Sequence, residues 1–144
     1  GSALLTAYKN AGGDIDLPAA LIEMMNRGKS VPGGACGFWG ACGAGISSGM
    51  FVSIISKSTP LANEPFALSH KMTAMALGRI GEVGGPRCCK RDSLLSILTA
   101  VDFVKEHFGI AMRKSKVTCH YSQMNNQCIG KRCPFSKREN LYGK

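Results

Sequence analysis

From Asp92 to Gly109 the apolar side chains return at the spacing of an α-helix. Leu94, Leu98, Val101, Val104 and Phe108 fall on one face, Lys105 and Glu106 fall off it, and Gly109 is placed to end the run. The same period recurs between Asn63-Glu64-Pro65 and Gly84-Gly85-Pro86, through Leu68, Met72, Met75, Ala76, Ile80 and Val83. A third helix is predicted from an Asp16 N-cap, with Pro18 in its first turn, Leu17, Leu21, Met24 and Met25 along it, and Gly28 at its end. A shorter one around Leu4, Leu5 and Tyr8 is broken by Gly12-Gly13. No strand pair, internal repeat or low-complexity tract competes with this pattern, which predicts an all-α fold.

The fifth helix follows Gly45, with Ile46, Met50, Phe51 and Ile54 as its apolar side up to Thr59-Pro60. Ala41, Gly45, Gly49 and Ser53 recur every four positions, so one face of this helix carries no bulky side chain. Each helical glycine costs up to about 1 kcal/mol relative to alanine. Close approach by another helix is the return on that cost, and the helix is expected in the core. The whole then reads as a compact bundle of about five helices.

A chain of 144 residues, 44% hydrophobic and 19% charged, can bury a core without help from disulfides. Seven cysteines therefore need another explanation. A secreted disulfide scaffold favours an even count, so reduced thiols serving as metal ligands or redox groups are the better reading. That places the chain in a reducing compartment, the cytoplasm. The longest low-charge run, Ala41 to Ser56, is shorter than the roughly 20 residues of a membrane helix, so no membrane contact is expected.

The last thirty residues carry Cys119, Cys128 and Cys133 among Asn, Gln, Gly, Lys and Pro without a sustained period. A polar segment of this kind buries too little to order itself, and a bound metal would hold it. One domain over 1–144 results, with a helical core at 3–112 and a loop-rich, cysteine-bearing tail at 113–144. Lys and Arg outnumber Asp and Glu by 18 to 9, giving a formal charge of +9. The excess gathers at Arg113 to Lys116 and at Lys131, Arg132, Lys137 and Arg138. Such a tail suits RNA, an anionic substrate or an acidic partner protein.

Three cysteine groups result: Cys36 with Cys42, the adjacent Cys88 and Cys89, and the three of the tail. The first two each follow a Gly/Pro break and precede a helix, whose free N–H groups favour thiolate or sulfide. Arg87, Lys90 and Arg91 act in the same sense around Cys88 and Cys89. Zinc usually takes close Cys-x2-Cys pairs, and none occurs here. An iron–sulfur cluster accepts wider spacings and glycine-rich surroundings, and Cys133-Pro134 matches the end of bacterial ferredoxin ligand runs. All seven cysteines are candidate metal ligands, with Cys36, Cys42, Cys88 and Cys89 the first choice for a cluster. A strained, reducible disulfide between Cys88 and Cys89 is the metal-free alternative.

Other polar candidates carry less. His120 could replace a thiolate, while His70 and His107 read as helix-side residues. Asp14 and Asp16 read as turn and cap residues, and the glycine run lacks the Lys-Ser/Thr of a phosphate loop. Phe38 and Trp39 either wall a site or anchor their loop in the core.

The stretches CGFWGACGAGISSGMF, GGPRCCKRDS and CHYSQMNNQCIGKRCPF, in this order, resemble an uncharacterised cysteine-rich domain family of anaerobic microbes, over about Ile22 to Phe135. That family also occurs attached to SAM-dependent methyltransferases, so the resemblance implies an anaerobic setting and a possible methyltransferase association. The first stretch is also similar to the Cys...Gly-Cys-Ala-x-x-Gly pattern of a family of redox-active proteins. Ala41-Cys42-Gly43-Ala44-Gly45 departs from that pattern by one inserted glycine.

The leading expectation is an iron–sulfur protein, with a 4Fe-4S cluster, for electron or sulfur transfer with a redox or sulfur-transfer partner. Its site would lie between the Cys36 and Cys42 loop, the Cys88-Cys89 helix start and tail cysteines. The alternatives are a zinc-stabilised module contacting RNA or an acidic protein, and a metal-free dithiol redox protein.

Overall fold

Each periodic segment is helical in the computed structural model of the chain, which describes residues 1–136. The helices are α1 (Ser2–Asn10), α2 (Leu17–Gly28), α3 (Ala35–Phe38), α4 (Gly43–Ile55), α5 (Glu64–Val83) and α6 (Cys89–Phe108). The Asp16 carboxylate accepts the Ala19 N–H at 3.1 Å and so caps α2, with Pro18 in the first turn. Gly109, at φ +68°, ends α6 in the left-handed conformation that glycine adopts without strain. The fold is all-α, a compact bundle of five longer helices with the one-turn α3 between α2 and α4. Among the described residues there is no strand, only an isolated parallel bridge between Cys119 and Ser136.

Helix α4 is the hub and packs against α1, α2, α5 and α6. Its small residues explain how. A Cβ on Gly45 would lie 2.6 Å from Leu77 Cδ2, and one on Gly49 would lie 3.1 Å from the Ser69 carbonyl oxygen, so both glycines admit α5. Ser53, further along the row, accepts a hydrogen bond from Arg27 Nη1 of α2 at 2.8 Å. Ala41 precedes the helix and takes no part in this packing face. The centre of the core is Leu5, Phe51, Val52, Met72, Phe103 and Val104, with the Tyr8 ring edge-on to Phe51 at 6.0 Å.

The buried face of α6 is wider than its apolar period predicts. Leu95, Ser96, Ala100, Val101, Phe103 and Val104 are buried, together with Arg91 and Asp92 at its start. Leu94 and Leu98 are only half-buried. Leu94 lines a cavity under the tail and Leu98 a groove beside α5, because α6 serves two neighbours with different sides. No helix among the described residues is long and apolar enough to cross a membrane.

Candidate functional site

The helix starts of α4 and α6 carry Cys42 and Cys88 as their N-cap residues. Ahead of α4, Gly34 (φ +85°) and Gly40 (φ +64°) hold left-handed conformations that turn the chain around α3. The Ala41 N–H donates to the Ala35 carbonyl at 3.2 Å and closes this loop. Cys36 and Cys42 each follow one of the two closing residues. The tip is thrown outward, leaving Phe38 88% and Trp39 69% exposed, so neither aromatic anchors the loop in the core.

Cys36 and Cys42 line a cavity of about 460 Å³. Its other walls are Phe38 and loop glycines, Leu77 and Ile80 of α5, the Gly84-Gly85 turn, and Arg87, Arg91 and Asp92. Asp92 and Arg91 are almost fully buried, which two charges tolerate only when paired. Arg91 Nε donates to Asp92 Oδ1 at 3.1 Å, and its Nη2 donates to the Pro86 carbonyl at 3.0 Å. Asp92 Oδ2 accepts from the Cys42 thiol at 3.9 Å. Burial pushes the Cys42 thiol above its ordinary pKa and the Asp92 charge adds to this, while the Ala44 and Gly45 N–H groups at the start of α4 pull the other way.

A second cavity, of about 180 Å³, is lined by four thiols: Cys88, Cys119, Cys128 and Cys133. Leu94, Ile129 and Phe135 form its apolar wall, and Lys90 and Arg91 contribute cations. The tail reaches α6 through contacts with no sequence period. Phe135 is buried, the Cys119 N–H donates to the Phe135 carbonyl at 2.6 Å, and Lys90 Nζ sits 3.7 Å from the Tyr121 ring centroid. Tight turns place the thiols: the Cys128 N–H donates to the Asn125 carbonyl at 2.9 Å, and the Cys133 N–H to the Gly130 carbonyl at 3.0 Å. Two sulfurs also accept hydrogen bonds. The Tyr121 N–H points at Cys119 Sγ and the Gly130 N–H at Cys128 Sγ, each at 3.4 Å.

The seven predicted residues thus divide between places. Cys36 and Cys42 share one cavity, Cys88 and the three tail cysteines share the other, and Cys89 is exposed and lines neither. All seven are free thiols. Among the described residues no three His, Cys, Asp or Glu side chains form a group that could hold a metal ion as they stand. His120 is exposed and lines neither cavity. Lys131 and Arg132 lie exposed on a 3-10 turn beside Cys133, while Lys137 and Arg138 fall outside the described residues.

Sequence reasoning does not reveal the buried pair Arg91 and Asp92: it reads Arg91 as a cation beside Cys88 and Cys89, and Asp92 as a helix start. The available signal was two adjacent opposite charges directly between a cysteine pair and an apolar helical stripe. Arg91 lines both cavities, so this ion pair forms part of the wall between them.

The fold and its two thiol-lined cavities define a helical, cysteine-rich protein. The chain belongs to a family of unknown function, DUF5714, whose family model matches residues 1–136. No curated protein and no solved structure matches it.

Proposed function

We propose that the chain binds an iron–sulfur cluster of the 4Fe-4S type between Cys88, Cys119, Cys128 and Cys133, for electron or sulfur transfer in an anaerobic, cytoplasmic pathway. The observation that carries this reading is that four thiols from two distant segments line one cavity of about 180 Å³. That space slightly exceeds the roughly 150 Å³ of an apolar cavity that accepts benzene. A structural zinc instead draws four sulfurs to about 2.3 Å from one point. A cluster supplies one-electron chemistry at a potential set by charge and by hydrogen bonds to its sulfurs.

Several features of the cavity support that reading. The Tyr121 and Gly130 N–H groups are directed at two of the sulfurs, and Lys90 brings positive charge to the wall. Leu94, Ile129 and Phe135 give the cavity an apolar wall. Lys131 and Arg132 present a positive surface beside Cys133, suited to an acidic electron or sulfur-transfer partner. The two N–H···S turns also suit a structural zinc, and in that second reading the same cations contact RNA or an acidic protein.

Anaerobic reconstitution with iron and sulfide, compared with zinc, separates the two. The expected product is brown, with about four irons and four sulfides per chain. Cys88→Ser, Cys119→Ser, Cys128→Ser and Cys133→Ser each lower its iron content, and Cys89→Ser does not. A colourless protein holding one zinc per chain overturns the cluster reading.

A further inference from the structure

The four-thiol cavity leaves Cys36 and Cys42 unused, and these two thiols have a site of their own. The hydrogen bond between Ala41 and Ala35 ties the loop so that both cysteines line the same cavity, each partly accessible. Only five residues of one loop separate them, and both thiols face the same cavity. The cavity, about 460 Å³, has the size of a small-molecule site. Phe38, Leu77 and Ile80 give it an apolar side, and Arg87 is an exposed guanidinium on its wall. The Arg91 charge is already matched by Asp92, which leaves Arg87 to meet an anionic substituent. Burial and the Asp92 charge hold the Cys42 thiol above its ordinary pKa, and the Ala44 and Gly45 N–H groups at the start of α4 oppose this only in part.

We propose that Cys36 and Cys42 form a dithiol site that reduces small anionic disulfides, separate from the four-thiol cavity. The Cys36 thiolate attacks one sulfur of R–S–S–R, forming a Cys36–S–S–R bond and releasing RS⁻, which takes up the proton that Cys36 lost. Cys42 then attacks the Cys36 sulfur, forming the Cys36–Cys42 bond and releasing the second RS⁻, which takes up the Cys42 proton. The substrate disulfide gains two electrons and two protons and becomes two thiols, and the protein dithiol becomes a disulfide.

The test uses the anaerobically purified full chain, oxidised glutathione as the anionic disulfide and hydroxyethyl disulfide as the neutral one. Trypsin cleavage after Lys29 and Lys57 isolates both cysteines, with no other, in one peptide. The expected peptide has lost two hydrogens and carries no glutathione. Trp39, the chain's only tryptophan, lies three residues from each cysteine, and its emission falls as the disulfide forms. Cys42→Ser traps glutathione on Cys36. Arg87→Gln slows the reaction with oxidised glutathione about tenfold more than the reaction with hydroxyethyl disulfide. A peptide that stays reduced, or that carries two glutathiones, overturns the proposal. Loss of iron or visible absorption in Cys36→Ser or Cys42→Ser also overturns it, by making the pair cluster ligands. A chain that takes up no iron yet closes the peptide disulfide sinks the cluster reading and supports this one.

Discussion

Asp92 divides its two oxygens between the Arg91 guanidinium and the Cys42 thiol, which makes one buried carboxylate the link between charge pairing and thiol chemistry. The effect on Cys42 has a definite sign. Burial first, then the Asp92 charge, disfavour thiolate in the folded chain, so the folded state keeps the Cys42 proton to a higher pH than the unfolded state. Below the ordinary thiol pKa of about 8.5 this contributes nothing to the pH dependence. Above it the unfolded chain ionises first, the native state holds more protons, and stability falls as pH rises. The urea midpoint of the wild-type chain is therefore expected to decline between about pH 8 and pH 10 more steeply than that of Cys42→Ser, other groups cancelling in the difference. Parallel declines would remove Cys42 from the balance. The weight of the thiols was legible from their number, and the places of Cys42 and Cys88 at helix starts from the Gly/Pro breaks before them. Their division between two cavities was not, because it depends on which walls α5 and the tail supply.

Helix α4 shows how far an element is written in its own sequence. The small-residue row predicts close packing, and α5 approaches at Gly45 and Gly49. A Cβ at Gly49 would meet Thr73 Oγ1, which can rotate away, and the Ser69 carbonyl oxygen at 3.1 Å, which belongs to the α5 backbone and cannot. Gly49→Ala should cost about 1–3 kcal/mol through overpacking, partly offset by up to about 1 kcal/mol of helix propensity. Gly78, inside α5, has no atom within 4 Å of its would-be Cβ. Gly78→Ala should therefore stabilise the chain, by at most about 1 kcal/mol, and urea denaturation of both variants checks the contrast in sign. The long helices are legible because a bundle imposes the 3.6-residue period on whatever faces it. The four-residue α3 is not, since a single turn among glycines shows no period. The wide buried face of α6 escapes for a related reason: the helix packs against α1, α4 and α5 and so buries more than its apolar stripe, Arg91 and Asp92 included.

At the scale of the molecule the bundle and the tail are held by different means. The packing of Phe51, Met72 and Phe103 involves none of the thiols, and it draws on every long helix. Among its described residues the tail has one large buried apolar side chain, Phe135, and a series of single hydrogen bonds at its turns. Each such bond nets only about 0.5–1.5 kcal/mol. Fixing each residue's backbone costs about 1–2 kcal/mol, so the turns alone do not order the segment. The sequence shows this imbalance as a polar run with three cysteines, though not the docking of Tyr121 under Lys90 or of Phe135 beside Cys119. If the four thiols hold a cluster, its removal should loosen the tail and spare the bundle. Hydrogen exchange on the anaerobic, cluster-bearing chain before and after chelation reads this directly. The amides of Cys119, Cys128 and Cys133 are expected to lose at least about tenfold in protection, the equivalent of 1.4 kcal/mol or more, while those of Val52 and Val104 stay unchanged. Unchanged tail protection would mean that Phe135 and the Lys90 and Tyr121 contact anchor the segment unaided, and the thiols would then be free for chemistry unrelated to holding it.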